Sequence, residues 1–272
     1  VNEAQLVRMM VGRPVDQVFP KREVPIGDVV LSVKNLSNAT EYADVSFDLR
    51  KGEILGLYGL VGAGRTEAMQ GLFGITPTTR GTVSLDGRPL SVASPADAIA
   101  AGIAYVPEDR QDQGAILSLG IRENVTLASL GKYVRGLFLS RPLELDETRR
   151  LGRRLAVKAS SWEQRLAELS GGNQQKVVIA KWLATRPKVI VLDEPTKGID
   201  IGSKAAVHEF IGELAGEGLA VVLISSELPE VMGLADRLIV MKEGRIVEEF
   251  QRGAWSAEAI VGAATGARKA AA

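Results

Sequence analysis

Leu169 to Asp200 reads LSGGNQQKVVIAKWLATRPKVIVLDEPTKGID, and three pieces of chemistry follow one another along it. Ser170-Gly171-Gly172 is a small, glycine-rich turn that opens a helix. Its bare backbone N–H groups and the positive end of the helix dipole point outward together, which makes an anion site. Asn173 to about Ala184 sets Val177, Val178, Ala180, Leu183 and Ala184 on one face at helical spacing. After the break at Pro187, Val189-Ile190-Val191-Leu192 reads as a short strand buried in a parallel sheet. Asp193-Glu194-Pro195 then brings two carboxylates to the strand's carboxyl end, where open α/β sheets bind ligands. Taken singly, such a turn is as often a plain helix cap, and an Asp-Glu pair after a strand as often a solvated loop.

The joint pattern is far more specific. LSGGNQQK followed by a strand ending in LDEP resembles the signature motif and Walker B strand of ABC-type ATPases. That resemblance requires a phosphate loop upstream, after a strand and before a helix. Gly59-Leu-Val-Gly62-Ala63-Gly64-Arg65-Thr66 meets it, with Ile54 to Tyr58 as the strand and Glu67 to Leu72 beginning the helix. Gly59, Gly62, Ala63 and Gly64 allow backbone N–H groups to curl around β- and γ-phosphates, and the Thr66 hydroxyl is placed to ligate Mg²⁺. The pattern asks for Lys where this chain has Arg65.

Composition narrows the rest. The 272 residues can bury one large domain, and 33 basic against 33 acidic residues leave no global field for nucleic acid or an acidic membrane. Without cysteine there is no disulfide framework, thiolate metal site or thiol nucleophile. A cytoplasmic protein fits that lack of cysteine; no apolar run is long enough to span a bilayer, and no signal peptide opens the chain. The single histidine, His208, reads as an ordinary helix-surface residue, which argues against a histidine zinc site or catalytic triad.

Along the chain, Glu3 to Met10 looks like the end of a helix running into Val11-Gly12-Arg13-Pro14, and Phe19-Pro20 and Pro25 make an extended linker. MMVGRP followed by Phe-Pro resembles the tail of the first ATPase half in fused, two-cassette importers of simple sugars. The expected division is therefore a linker over 1–27, a cassette over 28–252 and a C-terminal tail over 253–272. Val29–Val33, Val45–Leu49, Ile54–Tyr58 and Thr82–Leu85 read as strands separated by Lys51-Gly52, Arg80-Gly81 and Asp86-Gly87 turns. Ser94-Pro95 starts a helix ending near Gly102, and Ile103 to Pro107 is another core strand. Ile121–Leu130 and Leu145–Val157 look helical, inside a lobe over about 112–168. Arg149, Arg150, Arg153, Arg154 and Lys158 make one basic face there; lacking interleaved aromatics, it reads as a solvated helix and not a nucleic-acid patch. Gly202–Ala215 is a helix and Ala220–Ile224 a buried strand. Ser226 caps a helix around Leu228–Leu234, and Leu238–Met241 with Arg245–Glu249 form a hairpin around Glu243-Gly244. The small, low-complexity stretch after Ser256 is expected to end in disorder.

The resemblance implies an α/β P-loop core with a flanking antiparallel sheet and an inserted helical subdomain, binding ATP and Mg²⁺. Thr66 and Asp193 would share the metal, Asp193 through water, and Glu194 would orient or deprotonate the attacking water. Two such cassettes pair head to tail, so Ser170, Gly171 and Gly172, with Asn173 and Gln174, would serve a nucleotide held by another chain or half. Three departures fall on the chain's own site. Arg65 replaces Lys, and arginine is a bulkier, planar cation. Glu108, after Pro107, stands where a Gln senses the γ-phosphate, and Glu227 stands where a His usually contacts it. Tyr42 is the nearest aromatic for stacking on adenine, at a spacing that looks short.

GAGRT, VPEDR, LSGGNQQK, DEPTKGIDIG and SSELPEV together are similar to the second cassette of importers for ribose, galactose, xylose and related monosaccharides. The partners implied are another cassette, a membrane permease and, indirectly, a periplasmic sugar-binding protein, at the cytoplasmic face of the membrane. In this reading the chain's own site is the slower one. The alternatives are that Arg65 does the work of Lys and both sites turn over, that the cassette binds nucleotide without turnover, or that the cargo is a nucleoside or signalling molecule.

Overall fold

The structure is a computed structural model and describes residues 21–267. The helix and turn expected over residues 3–14, and the last residues of the tail, lie outside that range.

Long apolar runs set the centre. β3 (Ile54–Tyr58), β6 (Ile103–Val106), β9 (Val189–Asp193) and β10 (Ala220–Ile224) are buried at every position. That pattern belongs to strands covered on both faces, and all pairings among them are parallel. β11 (Arg237–Lys242) adds in parallel beside β3, and β12 (Arg245–Gln251) closes that edge antiparallel, giving the order β12-β11-β3-β10-β9-β6. A second sheet, antiparallel, has the order β2-β1-β4-β5 from β1 (Val29–Ser37), β2 (Val45–Arg50), β4 (Arg80–Leu85) and β5 (Arg88–Leu90). β2 alternates buried and exposed residues, as a strand with one wet face must.

Because the central strands are parallel, their carboxyl ends lie together. β3 leads into the phosphate loop and α1 (Arg65–Phe73), β6 into Glu108–Arg110, β9 into Glu194, and β10 into Ser225–Glu227. Ser94 and Pro95 start α2 (Pro95–Ala101), which ends on left-handed Gly102 as its sequence requires.

Between β6 and the signature turn lies the helical insertion. The helix expected over Ile121–Leu130 is α3 (Ile121–Thr126) followed by a 3-10 segment, Leu127–Tyr133, kinked where Ser129 leaves helical geometry. A small hairpin, β7 (Val134–Arg135) with β8 (Phe138–Leu139), precedes α4 (Arg141–Arg154). That helix begins four residues before the expected Leu145, because Pro142 sits in its first turn, where a missing N–H costs nothing. Its basic face is largely spent on acids: Arg149 pairs with Asp146, Arg150 with Glu147 and Arg154 with Glu217.

α5 (Gly171–Leu183) carries the signature turn, α6 (Ile201–Gly216) follows β9, and α7 (Leu228–Leu234) follows β10. The described part of the stretch after Ser256 is helical. α8 (Ala257–Thr265) is capped by the Ser256 hydroxyl, which accepts from the Ala259 N–H at 3.1 Å, and Ile260 is fully buried against Tyr58, Leu238 and Phe250.

Candidate nucleotide site

The phosphate loop projects from the end of β3 with Val61 at its tip, 95% exposed. Gly64 has φ 89°, and a Cβ there would fall 2.7 Å from the Gly244 Cα, so only glycine fits. Behind the loop, the Thr66 hydroxyl donates to Asp193 Oδ1 at 3.1 Å and the Tyr105 hydroxyl to Oδ2 at 2.7 Å. Asp193 is fully buried. Burial raises its carboxyl to about 6, with Tyr105 and Thr66 pulling the other way. Burial, with the Asp193 charge beside it, also raises the Tyr105 phenol.

Thr66 and Asp193 are hard oxygen donors of the kind Mg²⁺ takes, one or two from protein with the remainder from phosphates and water. A buried carboxylate whose side-chain hydrogen bonds come from two neutral hydroxyls fits a site completed by a metal.

Glu194 sits one residue on, in a left-handed backbone conformation at φ 46°. A non-glycine residue held there is strained, and such strain gathers at functional sites. Its N–H is fixed by the Ile224 carbonyl at 2.9 Å, and its Oε2 accepts from the Ser226 hydroxyl at 3.2 Å. Burial raises its carboxyl above the ordinary range, against the Ser226 bond and the Arg65 charge. Ser226 therefore holds the carboxylate and does not cap α7; the cap position is Glu227.

Arg65 is buried, with its guanidinium turned inward. Nη1 donates to the Ser225 carbonyl at 2.9 Å and lies 3.9 Å from Glu194 Oε1. Glu108 is ion-paired with Lys197, and Glu227 with Lys204. Each of the three departures thus has a counter-charge inside the chain.

Of the residues singled out in the sequence, Arg65 lies beside Glu194 and Thr66 beside Asp193, and Glu108 is close enough for its charge to bear on Asp193. The signature residues have other neighbours. Asn173 donates to the Ser170 hydroxyl at 2.9 Å, and Gln174 is an internal strut reaching the carbonyls of Leu166 and Leu169. A Cβ on Gly171 would meet Arg110, and one on Gly172 would strike Ser203. Tyr42 is no adenine platform: it is 3% exposed in the core, its hydroxyl against Gly71.

His208 corrects a second expectation. It is 1% exposed, and its Nε2 lies 2.6 Å from Glu230 Oε1, which also accepts from Thr196 at 2.8 Å. Sequence reasoning passed over Tyr105, Arg110, Lys197, Lys204 and Glu230. Tyr105 could have been found, since it alternates with Ala104 and Val106 on a strand that ends beside Asp193; the others depend on contacts across the fold.

The profile of the family described as "ABC transporter" matches residues 42–197, more than half of the chain. The chain belongs to the ABC transporter ATP-binding family. It is 58% identical over 266 residues to the ribose import ATP-binding protein RbsA 1 of Rhizobium meliloti (strain 1021), covering 98% of this chain and 53% of that protein. It is 50% identical over 247 residues to the putative ribose/galactose/methyl galactoside import ATP-binding protein 2 of Agrobacterium fabrum (strain C58 / ATCC 33970), covering 90% and 48%. The cassette thus spans about half the length of these relatives. Among solved structures, the ADP conformation of the ATP-binding cassette MJ1267 superposes with a TM-score of 0.73 at 21% identity, over 89% of this chain and 96% of that one. The dimeric post-hydrolysis state of the cassette MJ0796, bound to ADP and Pi, gives 0.70 at 21% identity, over 83% and 100%. These structures share the α/β P-loop cassette fold.

Proposed function

We propose that this cassette binds Mg²⁺ and ATP and couples ATP hydrolysis to import of a ribose-like monosaccharide through a membrane permease. The observation that carries the reading is the Thr66–Asp193–Tyr105 cluster with Glu194 beside it, set behind a phosphate loop at the carboxyl ends of adjacent parallel strands. Bound Mg²⁺ would neutralise phosphate charge, held by Thr66 and Asp193. Tyr105 fixes the orientation of Asp193 and keeps water from its far oxygen. Glu194, with its carboxyl raised and its position set by Ser226, is placed to take a proton from water.

The cassette pairs with another, and Ser170, Gly171 and Gly172 complete the nucleotide site of that partner. A permease and, through it, a periplasmic sugar-binding protein complete the assembly at the cytoplasmic face of the membrane. The relatives named for ribose and for galactose import support this cargo, and no helix among the described residues is long and apolar enough to cross a membrane by itself.

Arg65 favours a division of labour in which the cassette's own site is the slower one. Its guanidinium is engaged by Ser225 and Glu194, so both the phosphate ligand and the base are partly spent on each other. Carried to its limit, the same contact gives a cassette that binds nucleotide without turnover. Turnover of Mg·ATP by the isolated chain, with Glu194→Gln as control, tests the reading. Rates on the order of 1–10 per second, abolished by Glu194→Gln, would refute the slow site. Absence of any nucleotide binding would refute the proposal as a whole.

A further inference from the structure

The residue that follows Glu108 and Asp109 has no part in the site so far. Arg110 opens a short π-helical turn, Arg110–Gly114, whose start is fixed by Asp109: its carboxylate accepts from the N–H groups of Gln111 and Asp112 at 2.8 and 3.0 Å. From there the guanidinium reaches across to the loop after Glu194. Nη1 donates to the Lys197 carbonyl at 2.9 Å and Nη2 to the Gly198 carbonyl at 3.2 Å. The same Nη2 lies 2.9 Å from where a Cβ on Gly171 would stand, and the Gly198 carbonyl lies 3.4 Å from that point. The signature turn, the guanidinium and the loop are therefore stacked in contact.

We propose that Arg110 is a positioning residue which binds the Ser170-Gly171-Gly172 turn and the 196–200 loop into one surface for the partner cassette's nucleotide. The inference rests on the reading that this turn serves a partner site. The planar guanidinium meets the two consecutive carbonyls with two nitrogens held at a fixed spacing, where a lysine would bring a single nitrogen to both. The Arg110 Nε–H is buried with no acceptor, so this placement is kept at the expense of an unmade hydrogen bond. Neighbouring ties converge on the same block. Glu108 pairs with Lys197, Lys204 on the first turn of α6 pairs with Glu227, and Ser203 packs under Gly172. Two of the three departures from the phosphate-sensing pattern thus act as anchors of this block. Lys181 of α5 donates to the carbonyl of Gly114, closing the circuit from the π-helical turn back to the signature helix.

The test uses the chain paired with its partner cassette, with ATP turnover measured over a range of ATP concentrations. Arg110→Ala is expected to lower kcat at least tenfold while KM stays within twofold, because the block contributes to reaction geometry more than to capture of ATP. Arg110→Lys is expected to restore less than a third of the loss. Full rescue by lysine would mean that charge alone matters, and a change confined to KM would make Arg110 a nucleotide ligand; either overturns the proposal. Ser170→Arg, which blocks the turn from outside, separates the two readings. If it abolishes turnover and Arg110→Ala is silent, the role of Arg110 fails alone. If it is silent as well, the partner-site reading fails. Hydrogen exchange of the single chain needs no partner: in Arg110→Ala, or in Arg110→Gln should the alanine variant not fold, amides 196–200 are expected to exchange at least tenfold faster. Unchanged exchange there would also overturn the proposal.

Discussion

The guanidinium of Arg65 lies 3.9 Å from the carboxylate of Glu194 and donates to the Ser225 carbonyl, so the phosphate-loop cation faces the carboxylate proposed as the base. Both side chains are about nine-tenths buried, where a pair is screened little by salt. To reach a phosphate, Arg65 must give up a hydrogen bond and leave Glu194 without its counter-charge. Lysine carries the same charge on a slimmer, more flexible head, which turns more readily from Ser225 and Glu194 toward a phosphate. Arg65→Lys is therefore expected to tighten Mg·ATP binding by about tenfold, the equivalent of about 1.4 kcal/mol. Titration of Mg·ATP into wild type and variant checks this, and equal affinities would show that the Arg65–Glu194 contact does not compete with nucleotide.

By the family resemblance, Glu227 stands where a His usually contacts the γ-phosphate. The structure pairs it with Lys204 across the start of α6, and half of its side chain is in solvent. A compensated, exposed carboxylate acts weakly at a distance. Glu227→His is thus expected to change the ATP-to-ADP affinity ratio by less than threefold, and Lys204→Met to weaken ATP more than ADP by unmasking the acid. Competition titrations with both nucleotides, at low and high salt, measure these ratios. A large shift from Glu227→His alone would place the carboxylate at the γ-phosphate after all.

How far the sequence reveals the site depends on whether a contact is local. Buried parallel strands announce themselves as apolar runs, and Thr66, Asp193 and Glu194 are legible because each sits at a fixed offset from one of them. Arg65 is legible as a departure, but its destination depends on Ser225, 160 residues away. His208 looked like surface because its neighbours Lys204 and Glu209 are polar; its partner is Glu230 on another helix, and no periodicity within α6 signals that pairing. Ser226 was assigned to a cap by position, whereas the hydroxyl had a better acceptor in Glu194 across the strand ends. Small residues after Ser256 give little signal in the sequence, yet Ile260, Ala263 and Ala264 join a second small core.

Lys181 gives the fold a measurable pH dependence. It is buried on α5, where it donates to the Gly114 carbonyl and lies over the Trp182 ring, and burial lowers its ammonium to about 8. Between there and the ordinary value of 10.5 the unfolded chain binds more protons than the folded one, so stability rises with pH across that window. Below pH 8 the full penalty is present, about 3 kcal/mol at 1.36 kcal/mol per unit. Relative to Lys181→Met, wild type is expected to gain about 2–3 kcal/mol between pH 8 and 10. Urea unfolding of both proteins at pH 7, 8, 9 and 10 measures the difference, and parallel curves would place the ammonium in water.

The buried pair of His208 and Glu230 adds a second rise of stability with pH, in the acid range. Glu230 holds Oε1 between the His208 ring and the Thr196 hydroxyl, and both pair members are 1% exposed. Burial alone would raise the Glu230 carboxyl, but hydrogen bonding and attraction from His208, with help from Ser225 and Thr196, bring it below the ordinary 4.5. A lowered carboxyl contributes stability that is present above the unfolded value and lost as pH falls through the folded one, so this contribution disappears below about pH 4.5. Removing one partner leaves the other buried and uncompensated, a loss typically of about 3–5 kcal/mol. Glu230→Ala is expected to fall in that range, while His208→Leu with Glu230→Met, which removes both polar groups, recovers most of it. Thr196 loses its acceptor in every Glu230 variant, and Thr196 is two residues from Glu194. The double variant should therefore restore the thermal midpoint but not nucleotide turnover in the paired cassettes. Recovery of both would show that the pair only fills space, and recovery of neither would mean that the interior at α6 and α7 does not tolerate apolar replacements.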